Sequence, residues 1–226
     1  MSAFILGSTG LVGFQILRAV DKSTFYNKIS TVSRRKPAIE SDKLNSIVEK
    51  DSDKWTDIIK KEAKGASTFF SGFGTTRAAA GSADNFKKID YGVNYDAAKA
   101  AREAGVETIV LISTVGANPN SYFLYFKTKG ELENAIIALE FPRTIILRPG
   151  PLLGERDKAK DFLNTLSAKV FQFVHGTRFS FFGNPIYGEE LGQVAVNLSE
   201  EPFTKSDVPI VKFVDGGELT ALSKKL

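Results

Sequence analysis

Residues 7–13, Gly7-Ser8-Thr9-Gly10-Leu11-Val12-Gly13, restrict this chain more than any other stretch. They follow Ala3-Phe4-Ile5-Leu6, an apolar run long enough for one buried strand. After them Leu11, Val12, Phe14, Ile16, Leu17 and Val20 recur at roughly helical spacing. The order is strand, glycine turn, helix. Such a turn needs residues that tolerate positive φ and place no Cβ in the way of a ligand. The helix points its first free N–H groups and the positive end of its dipole at whatever lies over the turn. A pyrophosphate fits that description; the alternative is a glycine-rich connection that binds nothing.

The rest of the chain repeats this alternation. Ile29-Ser30-Thr31-Val32 reads as a second strand and 45–49 as a third. Trp55, Ile58, Ile59 and Ala63 mark a helix stopped by Gly65, and Thr68-Phe69-Phe70-Ser71 is a fourth strand. Residues 78–82 are small and read as a loop, followed by a long helix over about 84–104 and a fifth strand over 108–112. A helix holding Tyr125 and Lys129 leads to a sixth strand over 144–147, which ends in Arg148-Pro149-Gly150. Six strands alternating with helices predict an α/β fold with a parallel, doubly wound sheet. At 226 residues this is a single domain, with 1–150 as its core. From Pro151 the alternation breaks. A helix over 189–199 and a strand over 208–214 remain legible, and the region 151–226 has the size of a small C-terminal substrate cap.

Composition narrows the function. The net charge of +4 is mild and unclustered, which argues against a nucleic-acid partner. Cysteine is absent and histidine occurs once, at position 175, so zinc–thiolate sites, histidine metal clusters and a Ser-His-Asp triad are disfavoured. No secretory leader precedes the first strand, and no run approaches the roughly 18 apolar residues of a membrane span.

Two local patterns carry the chemistry. In a dinucleotide fold an acidic residue about 20 positions after the glycines binds the ribose hydroxyls. Here that position is Ser33, followed by Arg34 and Arg35. Arginine pairs with a 2′-phosphate where a carboxylate repels it, so the cofactor expected is NADP(H). Asp51, just past the third strand, is placed to meet the adenine, and Gly74 and Thr75 leave room for a ligand at the end of the fourth strand. The second pattern is Tyr125 and Lys129, which share one helix face. An ammonium about 4 Å from a phenol is worth roughly 4 kcal/mol at an effective dielectric near 20. That is enough to turn a poor proton donor into a useful one at neutral pH. Thr114 and Ser113, at the end of the fifth strand, both offer a hydroxyl to a substrate carbonyl. Thr114 is preferred, since alternating side chains cannot both face one pocket. Tyr122 lacks a lysine partner, because Phe126 stands four positions on. The chemistry implied is reduction of a small carbonyl compound, with NADPH donating hydride and tyrosine a proton.

These marks, with Val93-Asn94 and Arg148-Pro149-Gly150, make the chain resemble an atypical short-chain dehydrogenase/reductase with a Rossmann-like fold. The runs Gly74-Thr75-Thr76-Arg77, Phe123-Leu124-Tyr125 and Lys129-Gly130-Glu131 are similar to the Tat-interacting-protein oxidoreductase-like group. With Ala78-Ala79-Ala80-Gly81 added, the first run resembles its fungal branch, proteins of the mitochondrial outer membrane. The resemblance covers about residues 1–155. It implies NADPH binding, Tyr125 as proton donor, Lys129 as its tuner and ribose ligand, and Thr114 as carbonyl orienter. It also implies Asn94 as an ordering residue, Pro149 as pocket floor, and a peripheral place on the cytosolic face of the mitochondrial outer membrane, or otherwise the cytoplasm.

A second reading has the same fold and cofactor site but acts as an NADPH sensor or scaffold with little turnover. The aromatic stretch 162–182, with Lys169 and Arg178 among six phenylalanines, is open to three roles: substrate cap, ordinary core, or membrane-surface contact. Homo-oligomerisation is left open.

Overall fold

The computed structural model describes residues 1–153 and 184–226. The stretch 162–182, the charged segment beginning at Gly154 and His175 lie outside them.

Seven parallel strands form the central sheet, β1 (Ser2–Leu6), β2 (Lys28–Ser33), β3 (Leu44–Val48), β4 (Thr68–Ser71), β5 (Thr108–Ile112), β6 (Arg143–Arg148) and a late strand, Ile210–Asp215. Their spatial order is β3-β2-β1-β4-β5-β6 followed by the late strand. Most of these strands are buried on both faces, which explains their near-continuous apolar runs. In β1, Ala3 and Ile5 face one core cluster while Phe4 and Leu6 face the other. Helix α1 (Leu11–Lys22) covers the first face through Val12, Ile16, Leu17 and Val20. Helices α2 (Trp55–Glu62), α5 (Asn94–Glu103) and α6 (Leu124–Ile137) cover the second, through Trp55, Ile59, Ala97, Ala101, Leu132 and Ile136. This is the Rossmann-like doubly wound sheet. The strand order reverses between β1 and β4, and ligands of such sheets bind in the crevice outside the carboxyl ends at that point.

Three expectations change. Residues 77–80 form a short helix, α3 (Arg77–Ala80), and not a loop. Thr76 caps it by accepting the Ala79 N–H at 3.1 Å, and Gly81 ends it at φ +80°. The single long helix over 84–104 is interrupted. A short α4 (Ala83–Lys87) widens into a π-helical turn (Lys88–Val93) before α5.

The third change concerns the tail. The chain from 184 onward completes the main layers and does not sit apart as a cap. Ile186–Tyr187 (β8) pairs with Leu152–Leu153 (β7) in a two-stranded ribbon. Helix α7 (Gly188–Glu200) lies on α1, where a Cβ on Gly192 would come within 2.8 Å of the Gln15 backbone. The late strand, now β9 (Ile210–Asp215), pairs in register with β6, and α8 (Gly216–Ser223) follows it. The cause is apolar pattern: Leu191, Val194, Ala195, Val214 and Leu219 all enter the α1-side core.

Candidate functional site

The turn after β1 is built so that backbone replaces side chain. Gly7 has φ +88°, and a Cβ on it would meet the Gly72 carbonyl carbon at 2.7 Å. A Cβ on Gly13 would overlap the Gly7 carbonyl oxygen. Gly10 opens α1 with no side-chain cap, no acidic residue stands in the first helical turn, and the Gly10 N–H donates back to Gly7 O at 2.8 Å. The Ser8 hydroxyl is fully buried and, among the described residues, has no hydrogen-bond partner. Buried polar atoms are almost always satisfied, so an orphan beside a free helix N-terminus marks a place for an acceptor. A pyrophosphate fits this cradle. Val12 faces the core, and Leu11 contacts the α7 start near Gly188, so these two can serve a ligand through their N–H groups alone.

A groove of about 530 Å³ runs from this turn, lined by Gly7, Thr9, Gly10, Arg34, Arg35, Lys50, Gly72, Phe73 and Gly74. Among the described residues its charged lining is entirely basic. The Ser33 hydroxyl donates to Arg35 O at 2.7 Å and bends the chain, and Arg35 Nη2 reaches across to Thr9 O at 3.3 Å. Arg34 is exposed at the rim. The Asp51 carboxylate caps the turn Ser52–Lys54 by accepting the Asp53 N–H at 3.0 Å. The residue here that lines the groove is Lys50, which sequence reasoning missed. It stands one position before the expected acidic residue, and nothing in its own neighbourhood distinguishes it from a surface lysine.

On the other side of the β4 turn, α6 carries Tyr125, Lys129 and Glu133 at successive turns of one face. Tyr125 is 42% exposed, with Phe86 and Phe126 as its ring neighbours at 6.1 and 5.4 Å. Among the described residues its hydroxyl has no hydrogen-bond partner. Lys129 is 6% exposed and its Nζ lies 3.0 Å from Asp90 Oδ1, itself 1% exposed. The structure therefore pairs Lys129 with a carboxylate from the π turn. Asp90 Oδ2 also accepts the Thr75 N–H at 2.7 Å. Thr75 thus serves Asp90, while Gly74 lines the groove.

Asn94 is buried and fully engaged. Its Oδ1 accepts the Ser71 hydroxyl at 2.5 Å, and its Nδ2 donates to Asp90 O at 3.0 Å and Phe73 O at 3.3 Å. Ser113 donates to Glu133 Oε1 at 2.5 Å. That carboxylate also accepts Arg148 Nε at 3.0 Å and Nη2 at 2.6 Å. This hydrogen bond to Glu133 is the main reason Arg148 holds its proton above the ordinary guanidinium value, despite partial burial. The Ser113 hydroxyl is committed to α6. Thr114 is half-buried, and its hydroxyl makes no hydrogen bond among the described residues. Pro149 is buried, and its carbonyl accepts the Val115 N–H at 2.9 Å, which ties the ends of β5 and β6 together. Asp90 and Glu133 were both missed. The spacing of Glu133 from Lys129 could have found the second; a π turn has no readable signature, so Asp90 could not be placed.

The fold and groove define a Rossmann-type domain, a doubly wound parallel sheet with a glycine turn at its switch point. By structure the chain resembles MoeE5 in complex with UDP-glucose and NAD, with a TM-score of 0.69 and 12% identity, covering 100% of this chain and 81% of that one. It also resembles a short chain dehydrogenase family protein from Francisella tularensis, with a TM-score of 0.65 and 15% identity, covering 96% and 98%. The HIM1 family profile matches residues 61–175. The chain is 64% identical over 226 residues to "Protein FMP52-1, mitochondrial" of Scheffersomyces stipitis, covering all of both. It is 42% identical over 230 residues to "Protein FMP52, mitochondrial" of Saccharomyces cerevisiae, covering 100% and 99%. The chain belongs to the HIM1 family, together with these yeast FMP52 proteins.

Proposed function

We propose that the protein is an NADPH-dependent oxidoreductase of the short-chain dehydrogenase/reductase type that reduces a small carbonyl compound. The observation that carries this is the cradle: an uncapped helix N-terminus and an orphaned, buried Ser8 hydroxyl beside a groove rimmed by Arg34, Arg35 and Lys50. The NAD named with MoeE5 supports a dinucleotide at the corresponding place.

The N–H groups of residues 11–13 and the Ser8 hydroxyl hold the pyrophosphate. Arg34, Arg35 and Lys50 hold the 2′-phosphate. Lys129 holds the nicotinamide-side ribose, with Asn94 ordering the floor beneath it. NADPH, when bound, supplies the hydride. Thr114 orients the substrate carbonyl, Tyr125 donates the proton to its oxygen, and Pro149 shapes the pocket floor.

A second reading is favoured by one contact. Lys129 spends its charge on Asp90, and among the described residues the Tyr125 hydroxyl is unengaged. A protein arranged so can hold NADPH as a sensor or scaffold and turn over little.

The relatives' names support a mitochondrial address. Among the described residues no helix is long and apolar enough to cross a membrane. The resemblance to the Tat-interacting-protein oxidoreductase-like group favours peripheral attachment to the cytosolic face of the outer membrane. Protease treatment of intact mitochondria tests the address: survival of the protein while the outer membrane is sealed excludes the cytosolic face.

The cofactor is tested by titrating NADPH and NADH into wild type and Arg34→Ala. A charge-assisted hydrogen bond to the 2′-phosphate contributes roughly 1.5–3 kcal/mol, or about 10- to 150-fold preference for NADPH. That preference shrinks in the variant. Equal affinity for both nucleotides in wild type removes the NADP assignment, and no binding of either removes the oxidoreductase reading. Tyr125→Phe then separates the two readings: a reductase keeps NADPH affinity and loses carbonyl-dependent NADPH oxidation.

A further inference from the structure

A buried ammonium is costly unless it is paired, and a buried ion pair is seldom a better source of stability than apolar residues of the same volume. The Lys129–Asp90 pair is therefore poorly explained as a device for stability. Its connections suggest another purpose. Asp90 Oδ1 takes the Lys129 ammonium at 3.0 Å while Oδ2 takes the Thr75 N–H at 2.7 Å. Thr75 follows Gly72, Phe73 and Gly74, which form one wall of the nucleotide groove. One carboxylate thus fastens both the groove wall and the lysine.

The surroundings are arranged to keep that carboxylate in place. The π-helical turn brings Asp90 and Asn94 inward together, and single π turns recur at functional sites. Asn94 Nδ2 holds the Asp90 carbonyl at 3.0 Å and reaches Phe73 O at 3.3 Å, so the same wall is gripped twice. Gly74 leaves the pair its room: a Cβ there would lie 3.1 Å from Asp90 Oδ1 and 3.7 Å from Lys129 Nζ.

We infer that Asp90 is the positioning residue of Lys129: it sets where the ammonium sits and links that position to the wall of the nucleotide groove. The inference rests on the assignment of Lys129 to the ribose proposed above. Asp90 itself touches neither cofactor nor substrate. A nucleotide seated against Phe73 and Gly74 fixes the Thr75 N–H, hence Asp90, hence the lysine that binds its ribose. Lys129 then acts as a ligand only while Asp90 holds it.

The test has two arms. In the first, NADPH is titrated into wild type, Asp90→Asn, Lys129→Met and the double variant. The Thr75 N–H needs an acceptor, so the asparagine amide gives it Oδ1 and turns its NH₂ toward Lys129, which cannot accept. Asp90→Asn is expected to weaken NADPH about 10-fold, a coupling of ordinary size between linked groups. The double variant is expected to bind no more weakly than Lys129→Met alone, because Asp90 acts through the lysine. Full additivity, or wild-type affinity in Asp90→Asn, overturns the inference. Lys129→Met strands a buried carboxylate. Should it not fold, the double variant, which carries neither charge, is compared with Asp90→Asn, and the two are expected to agree within about threefold.

The second arm needs no nucleotide. In protein with ¹⁵N-labelled lysines, the side-chain ammonium resonance of Lys129 is identified as the one missing from the double variant. It is expected to stand out as slowly exchanging in wild type and to move or vanish in Asp90→Asn. A resonance that stays in place overturns the inference. Failure of wild type to bind NADPH removes the cofactor reading, and this arm then still decides whether Asp90 holds the lysine.

Discussion

Replacing Arg148 by methionine removes the guanidinium and keeps most of the volume. Glu133 is 3% exposed and accepts three hydrogen bonds, two of them from Arg148 at 2.6 and 3.0 Å. The variant leaves its carboxylate with the Ser113 hydroxyl alone. Breaking a buried pair from one side costs about 3–5 kcal/mol, because an uncompensated charge remains inside. The guanidinium also lies 4.4 Å from the Phe213 ring centroid, a contact worth about 0.5–1 kcal/mol where it is partly exposed. Domains are stable by about 5–15 kcal/mol, so Arg148→Met consumes a large share of the total. With a urea m-value near 3 kcal/mol/M, at the upper end for small proteins, the midpoint falls by about 1 M or more. Equilibrium urea unfolding followed by circular dichroism and by Trp55 fluorescence reads this directly. Adding Glu133→Gln to Arg148→Met removes the stranded charge and is expected to restore more than half of the loss. A midpoint shift below about 0.3 M, or a double variant no more stable than Arg148→Met, refutes the account of Glu133 as a carboxylate kept inside by its arginine.

Gly13→Ala puts a methyl into the Gly7 carbonyl; calorimetry is expected to show NADPH binding abolished, with a stability loss of about 1–3 kcal/mol from overpacking. Burial raises the Tyr26 phenol above its ordinary value of about 10, the charge of Glu200 adds to this, and the hydrogen bonds to Ser199 and Thr68 with the charge of Arg143 oppose it. Below about pH 10 both folded and unfolded chains keep that proton; above it the unfolded chain releases it first, so stability falls as pH rises through the raised value. Urea midpoints compared at pH 8.5 and 11 are expected to drop further in wild type than in Tyr26→Phe, and equal drops reject the assignment.

Strand-and-helix alternation was legible because β1, β4 and β5 are buried on both faces and cannot hide their apolar runs. The glycine turn was legible for a different reason: Gly7, Gly13 and Gly72 each stand where a Cβ would strike backbone, and their spacing records that directly. The path of the tail was not. Val208 to Val214 shows its strand character, yet which neighbour it chooses depends on β6 having a free edge, a property of the assembled sheet. The capping by Asp51 was not legible, because a carboxylate near an expected ligand position looks the same whether it meets a ligand, caps the next turn or does both. The partners of Lys129 were hidden most deeply. Asp90 lies about 40 positions earlier and reaches the lysine through a widened helical turn that leaves no periodic trace.

The lateral position of β9 has a consequence for the order of events at the ribosome. β6 and β9 are neighbours in space, yet about 60 residues of chain separate them. At roughly 5–20 residues per second, several seconds pass between emergence of the two strands. Throughout that interval the nascent β6 carries an open edge of unpaired amides, the kind of surface that recruits strangers. The newborn chain is thus most exposed to mispairing or chaperone capture after its first six strands are made and before its last strand arrives.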